Sequence, residues 1–269
     1  MKDQGRVALV TGVSSGIGRA TARALAERGY RVFGTTRSSS PLPANVEPVH
    51  LDVRDAASIE AGVRGVLAKA GRIDLLVNNA GGAILGALEE TSIEQAQALF
   101  DVNFFGAARM TQAVLPAMRA QKSGRIVFIS SVVGFLPAPF MAFYAASKHA
   151  VEAFAESLDH ETRGLGVRAV LIEPSFIRTQ IGANGTEAAA RIEDYGPARE
   201  RAAAVVRDSV QAGEDPEVVA AAVIEAAGAR RPRRRYPVGK KAALFARLRS
   251  FMPAGVFDGA LRKQFRLDA

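Results

Sequence analysis

Apolar runs without polar alternation recur along this chain: RVALVTG (6–12), RIDLLVNNAG (72–81), RIVFISS (125–131) and VRAVLIEP (167–174). A strand with one wet face alternates apolar and polar residues, so unbroken runs suit strands covered on both faces. Such strands pair in parallel, and each parallel pair needs a crossover, usually a helix. The segments between them supply those helices. GRATARALAERGY (18–30) is alanine-rich and closes near Gly29, and DAASIEAGVRGVLAKAG (55–71) opens on a capping residue and closes on glycine. Residues 142–164 read as a helix, and 92–120 as one long helix or two. RVFGTTR (31–37) and EPVHLDV (47–53) add strands. Right-handed crossovers wind this set into an α/β doubly wound parallel sheet.

Length and composition fit a single domain: 269 residues, 48% of them apolar, can bury a sizeable core. The expected catalytic domain runs over 1–240. Within it, 182–215 is polar and alanine-rich and reads as a mobile substrate lobe. A helix (216–230) and a short strand near 235–239 follow, then an amphipathic extension over 241–269. Absent cysteines exclude disulfides, thiolate nucleophiles and cysteine-ligated metals. His50, His149 and His160 lack ligand spacing, so no metal is expected. No G-x-S-x-G elbow supports a serine hydrolase. Asp159 and Glu161 read as a solvated helix face. No apolar run reaches a membrane span and the start lacks a signal-peptide core, so a cytoplasmic protein is expected. Much of the net charge of +8 lies late, in ARRPRRRYPVGKK (229–241), Arg247, Arg249, Arg262, Lys263 and Arg266. Without a nucleic-acid motif it reads as a solvated face, with peripheral membrane contact the lesser reading.

TGVSSGIG places Gly12, Gly16 and Gly18, with Ser14, Ser15 and Ile17, between the first strand and the first helix. Glycine permits positive φ and close approach of backbone to a ligand, and the helix N-terminus beyond suits a pyrophosphate. The spacing is G-x-x-x-G-x-G rather than the general dinucleotide pattern G-x-G-x-x-G. At the end of the second strand a carboxylate favours a free ribose 2′-hydroxyl, whereas arginine accommodates a 2′-phosphate. This chain has Thr35, Thr36, Arg37 and three serines, with no acid between Phe33 and Glu47. NADP(H) is therefore expected over NAD(H).

In YAASK, Tyr144 and Lys148 stand at i and i+4 and share one helix face. A free tyrosine titrates near about 10, and proton exchange at neutral pH asks for about 4 kcal/mol of help. A cation at about 4 Å supplies about that much at an effective dielectric near 20. The expectation is a phenol lowered by Lys148, with burial opposing it.

Taken together, Thr11-Gly12-x-x-x-Gly16-Ile17-Gly18, Asp52, Asn78-Asn79-Ala80-Gly81, Asn103, Ser131, Tyr144-x-x-x-Lys148, and Pro174 with Thr179 resemble the short-chain dehydrogenase/reductase family over about residues 5–180. The tail after residue 240 resembles extensions of its steroid and retinol branches. The resemblance implies a Rossmann-like domain, a nicotinamide cofactor and reversible alcohol/carbonyl chemistry. It implies that Asp52, with Val53, holds the adenine and that Asn79, Ala80 and Gly81 line the cofactor. Pro174, Ile177 and Thr179 would lie by its carboxamide, with Tyr144 and Lys148 also binding it. Ser131 would hold the substrate oxygen, Tyr144 exchange its proton, Lys148 lower the tyrosine and bind the ribose, and Asn103 support a water relay. Ser175, where many members have glycine, is a departure. Self-association as a dimer or tetramer would use helices near 92–120 and 142–164.

GGAILG (81–86), VVGFLPAPF (132–140) and SFIRTQI (175–181) are apolar, which suits a bulky lipid-, steroid- or retinoid-like ketone or alcohol. Phe135, Leu136, Phe140 and Phe176 belong to that pocket or to core and oligomer contacts. Two other functions fit the residues: a 3-oxoacyl-carrier-protein reductase, and a non-catalytic NADP-sensing binding protein.

Overall fold

A computed structural model describes residues 5–37, 41–179, 186–239 and 242–267. In chain order the strands are β1 (Val7–Val10), β2 (Arg31–Thr36), β3 (Val46–His50), β4 (Leu75–Asn78), β5 (Ile84–Leu85), β6 (Gly124–Ile129), β7 (Val167–Pro174), β8 (Thr186–Glu187) and β9 (Arg235–Val238). The helices are α1 (Gly16–Glu27), α2 (Ala56–Ala70), α3 (Ile93–Phe100), α4 (Gly106–Ala120), α5 (Ala142–Thr162), α6 (Gly196–Gln211), α7 (Pro216–Gly228), α8 (Ala242–Phe251) and α9 (Ala254–Gln264). Seven strands form one parallel sheet in the order β3-β2-β1-β4-β6-β7-β9, and β5 pairs with β8 in a small ribbon.

Alternate side chains along each strand reach opposite faces. Val7 and Leu9 of β1, with Ile126 and Phe128 of β6, pack against Ile59 and Val63 of α2, Met110 and Val114 of α4 and Ala155 of α5. Ala8 and Val10, with Val127 and Val170, pack against Leu25 of α1 and Val219 and Val223 of α7. Both sheet faces are dry, which explains the unbroken apolar runs. Helix ends follow local chemistry: Asp55 accepts from the Ala57 N–H at 2.9 Å, and Gly71, at φ 72°, closes α2 in the left-handed region.

Residues 92–120 form one rod with an irregularity. Ser92 and Gln95 build a capping box, and a π turn over Asp101–Phe105 joins α3 to α4. Asp159 corrects an expectation. It is fully buried rather than solvated, because α5 turns it toward the start of β7, where Arg168, Arg163 and the Ala169 N–H bind its carboxylate. Within 182–215, residues 182–185 lie outside the described set, and the rest holds β8, a 3-10 turn and α6. Buried Glu90 ties this region to the body by pairing with Arg199 of α6 and accepting from the Ile192 N–H. Ala242, Phe245 and Phe257 of the C-terminal helices pack on Val132 and Leu136, while Leu261 and Phe265 pack on Ala138 and α6. Among the described residues, no helix is long and apolar enough to cross a membrane.

Candidate active site

The turn after β1 is bound to the turn after β4. The Thr11 hydroxyl accepts the Asn79 and Ala80 N–H groups, each at 2.9 Å, and the Asn79 amide donates to the carbonyls of Thr11 (2.8 Å) and Gly12 (3.1 Å). Two glycines of the turn are left-handed: Gly12 at φ 70° and Gly16 at φ 53°. Gly18 is required for space, since a Cβ there would lie 2.2 Å from the Gly12 carbonyl oxygen. Beyond it, Ser15 starts α1 without a side-chain cap.

A cleft of about 670 Å³ runs from Gly12, Ser14, Ser15, Gly16 and Ile17 past Arg37 and Asp52–Arg54 to Asn79–Gly82 and Thr179. Its close backbone approach and uncapped helix start fit the pyrophosphate of a dinucleotide. Beside β2 the Gly12 N–H donates to Thr35 Oγ1 at 3.2 Å. Asp52 accepts from the Arg54 backbone and guanidinium, which hold its carboxyl down at about 2. Arg54 was missed by sequence reasoning; its only signal is its place two residues after Asp52. The three serines after Arg37 lie outside the described residues.

Ser131 lies two residues past β6 and caps a 3-10 turn, Val132–Gly134, where its Oγ accepts the Val133 N–H at 3.3 Å. Facing it, the first turns of α5 carry Tyr144, Ser147 and Lys148. The Tyr144 phenol is buried and hydrogen-bonds Ser131. Lys148 Nζ donates to the Ile129 carbonyl at 2.9 Å and lies 6.0 Å from the Tyr144 ring centre. In this state the phenol is not lowered. Burial pushes it up to about 12, against the pull of the Ser131 hydrogen bond. Burial also brings the Lys148 ammonium down to about 8, partly offset by Glu152. The expectation of a cation-lowered phenol is corrected, because desolvation wins and the ammonium's hydrogen bond goes to a carbonyl.

Asn103 sits inside the π turn. Its Oδ1 accepts the Gly82 N–H at 2.8 Å, and its Nδ2 donates to Gly82 O and Ser147 Oγ, both at 3.0 Å. Ser147 in turn donates to the Tyr144 carbonyl at 2.8 Å. A Cβ on Gly81 would lie 3.1 Å from Asn103 Oδ1 and 3.8 Å from Lys148 Nζ, so the cleft's edge touches both groups. π turns are frequent at functional sites.

Of the predicted cofactor residues, Gly18, Tyr144, Lys148, Pro174 and Ile177 stand apart from the cleft lining. Pro174 is buried at the end of β7, paired with Val238, and Ile177 packs in the core beside α7. Thr179 does line the cleft, next to Gly16. Ser175 keeps an ordinary negative φ, so replacing the usual glycine causes no backbone strain.

An apolar chamber of about 100 Å³ is lined by Val132, Val133 and Leu136, which follow Ser131 in the chain, and by Phe176, Phe245 and Phe257 among others. Behind Lys148, Glu152 of α5 and Glu173 of β7 share the Arg235 guanidinium, Glu173 at 2.5 Å, and Glu156 adds a bond at 2.9 Å. Burial and the Glu152 charge push Glu173 up to about 7. Nothing in the local sequence announces this network. Among the described residues, no group of acidic and histidine side chains could hold a metal.

Comparison with known proteins agrees with this geometry. The family described as short chain dehydrogenase matches residues 6–190. The 3-ketodihydrosphingosine reductase of Bacteroides thetaiotaomicron is 35% identical over 262 residues, covering 96% of this chain and 97% of that protein. The NADPH-dependent 3-dehydrocapnine reductase of Ornithobacterium rhinotracheale is 31% identical over 276 residues, covering 97% and 98%. A solved short chain dehydrogenase/reductase from Burkholderia phymatum in complex with NAD superposes with a TM-score of 0.80, 30% identity and 93% coverage of each chain.

Proposed function

The chain belongs to the short-chain dehydrogenase family, and from that premise we propose that this oxidoreductase uses NADP(H) to reduce the keto group of a long-chain, lipid-like substrate. The observation that carries the reading is the apolar chamber whose wall, Val132, Val133 and Leu136, directly follows Ser131 in the chain. The named activities of the two relatives, reduction of 3-ketodihydrosphingosine and of 3-dehydrocapnine, support the substrate class.

When bound, a nicotinamide supplies or accepts the hydride. The chain's residues handle the oxygen and the proton. Ser131 holds the substrate oxygen, and Tyr144 delivers its proton as negative charge develops there. A phenol near 12 still gives its proton readily to an alkoxide, which is the stronger base, so the buried tyrosine suits reduction. Lys148, charged below about pH 8, holds the ribose end and stabilises the phenolate left behind. Asn103 fixes the Gly82 backbone and α5 relative to each other and stands where a water relay would start. Arg37, with Arg54 nearby, supports preference for a 2′-phosphate, although the Burkholderia relative carries NAD. Exposed Ile93 and Phe105 near Phe143 on the α3–α5 side support self-association there.

The test is NADPH oxidation against ketones of increasing alkyl length, small carrier-linked oxoacyl thioesters and a broad carbonyl panel. kcat/KM rising with chain length supports the reading. Preference for the thioesters points to the fatty-acid reductase instead, and no turnover anywhere points to a cofactor-sensing protein. An NAD(H) preference unchanged by Arg37→Asp overturns the cofactor assignment.

A further inference from the structure

The C-terminal helices have two apolar sides. The inner side, with Phe245, Phe257, Leu261 and Phe265, roofs the chamber and packs on α6. On the outer side Leu244, Phe251 and Val256 stay in solvent, and Phe251 is 86% exposed. Leu244 and Phe251 are seven residues apart on α8, hence on one helix face. Burying the inner side would satisfy a simple roof, so the outer apolar residues require another explanation.

Charge supplies a second, independent observation. Residues 240–269 hold seven basic residues (Lys240, Lys241, Arg247, Arg249, Arg262, Lys263, Arg266) against Asp258 and Asp268, a surplus of +5 out of +8 for the chain. Arg262, Lys263 and Arg266 are exposed on the same short segment as Val256. Apolar side chains among cations match the acyl boundary and the headgroups of an anionic bilayer.

We propose that the outer face of α8 and α9 docks the protein onto an anionic lipid membrane. A second copy is a poor occupant, because a two-fold contact through this face sets the exposed Arg262, Lys263 and Arg266 of one copy against those of the other. Nucleic acid would meet the charge but leave Leu244, Phe251 and Val256 in water. Docking goes beyond the proposed activity and does not depend on it. If that activity holds, the chamber roof lies at the surface where a lipid ketone is dissolved, and the substrate need not cross water.

The experiment is co-sedimentation of the full chain with phosphatidylcholine vesicles and with vesicles also containing phosphatidylglycerol. Partitioning is expected to be about tenfold higher on the anionic vesicles and to fall several-fold at high salt. Leu244→Glu with Phe251→Glu should lower it by about tenfold without shifting the melting temperature. Equal binding to both vesicles overturns the proposal, as does a double variant that binds like wild type. Binding to a DNA duplex or an acidic carrier protein with no vesicle binding overturns it too. Turnover of a short water-soluble ketone, read in the same preparations, tells failure of docking from failure of the proposed activity.

Discussion

Replacing Arg235 with methionine removes a charge and keeps most of the side-chain stem. Its guanidinium faces two carboxylates that are almost fully enclosed, Glu152 and Glu173, at side-chain exposures of 5% and 2%. Breaking a buried ion pair costs about 3–5 kcal/mol. Arg235 keeps 37% of its side chain in solvent, which points to the lower end, about 3 kcal/mol. The cost must depend on pH. Glu173 already titrates near 7 rather than its ordinary 4.5. Between those values the folded state holds a proton that the unfolded chain has released, so stability falls as pH rises. That raised pKa corresponds to about 3 kcal/mol, present below 4.5 and lost above 7. Without Arg235 both carboxylates rise further and the sloping region extends to higher pH. Urea denaturation at pH 5 and pH 8 reads the difference. The variant should lose about 3 kcal/mol at pH 8 and less than about half of that at pH 5. Adding Glu173→Gln should recover stability at pH 8. An equal loss at both pH values refutes the reasoning, since it would mean the guanidinium acts by packing alone.

Tyr144→Phe should lower kcat by about 10²–10⁴-fold while leaving the cofactor Kd, from fluorescence titration, within about twofold. Gly18→Ala drives a methyl into the Gly12 carbonyl and should weaken cofactor binding by at least about tenfold, checked by calorimetry. Asn103→Ala breaks three hydrogen bonds and should destabilise the fold by about 2–3 kcal/mol in urea, with a matching loss of turnover. Cofactor affinity should fall as pH rises through about 8, where Lys148 loses its charge, and Lys148→Met should abolish that pH dependence.

What the sequence discloses depends on how local the signal is. The glycine turn, the Asn79–Gly81 turn and the Tyr144–Lys148 pair each reveal themselves in a few neighbouring residues, and the structure gathers them around one cleft and its edge. The strands buried on both faces were legible because that burial removes polar alternation. The Arg235 network was not, since its partners stand 62, 79 and 83 residues away and each looks like an ordinary surface charge. Asp159 misled although Arg163 and Arg168 stand only 4 and 9 residues away, because spacing does not tell which face of α5 meets the start of β7. The β5–β8 ribbon is two residues wide, too short for any period. The direction of the Tyr144 shift depends on enclosure, which spacing alone cannot reveal.

The π turn carries one residue more than a regular helix would, with the Gly106 N–H reaching back to the Asp101 carbonyl. Each residue turns an α-helix by about 100°. A chain shortened by one residue between Phe100 and Gly106 would regularise its hydrogen bonding and swing one half of the rod by that angle against the other. Either Met110, Val114 and Met118 would leave the core, or the Asn103 amide would leave Gly82. This stretch therefore accepts changes of side chain far more readily than changes of length.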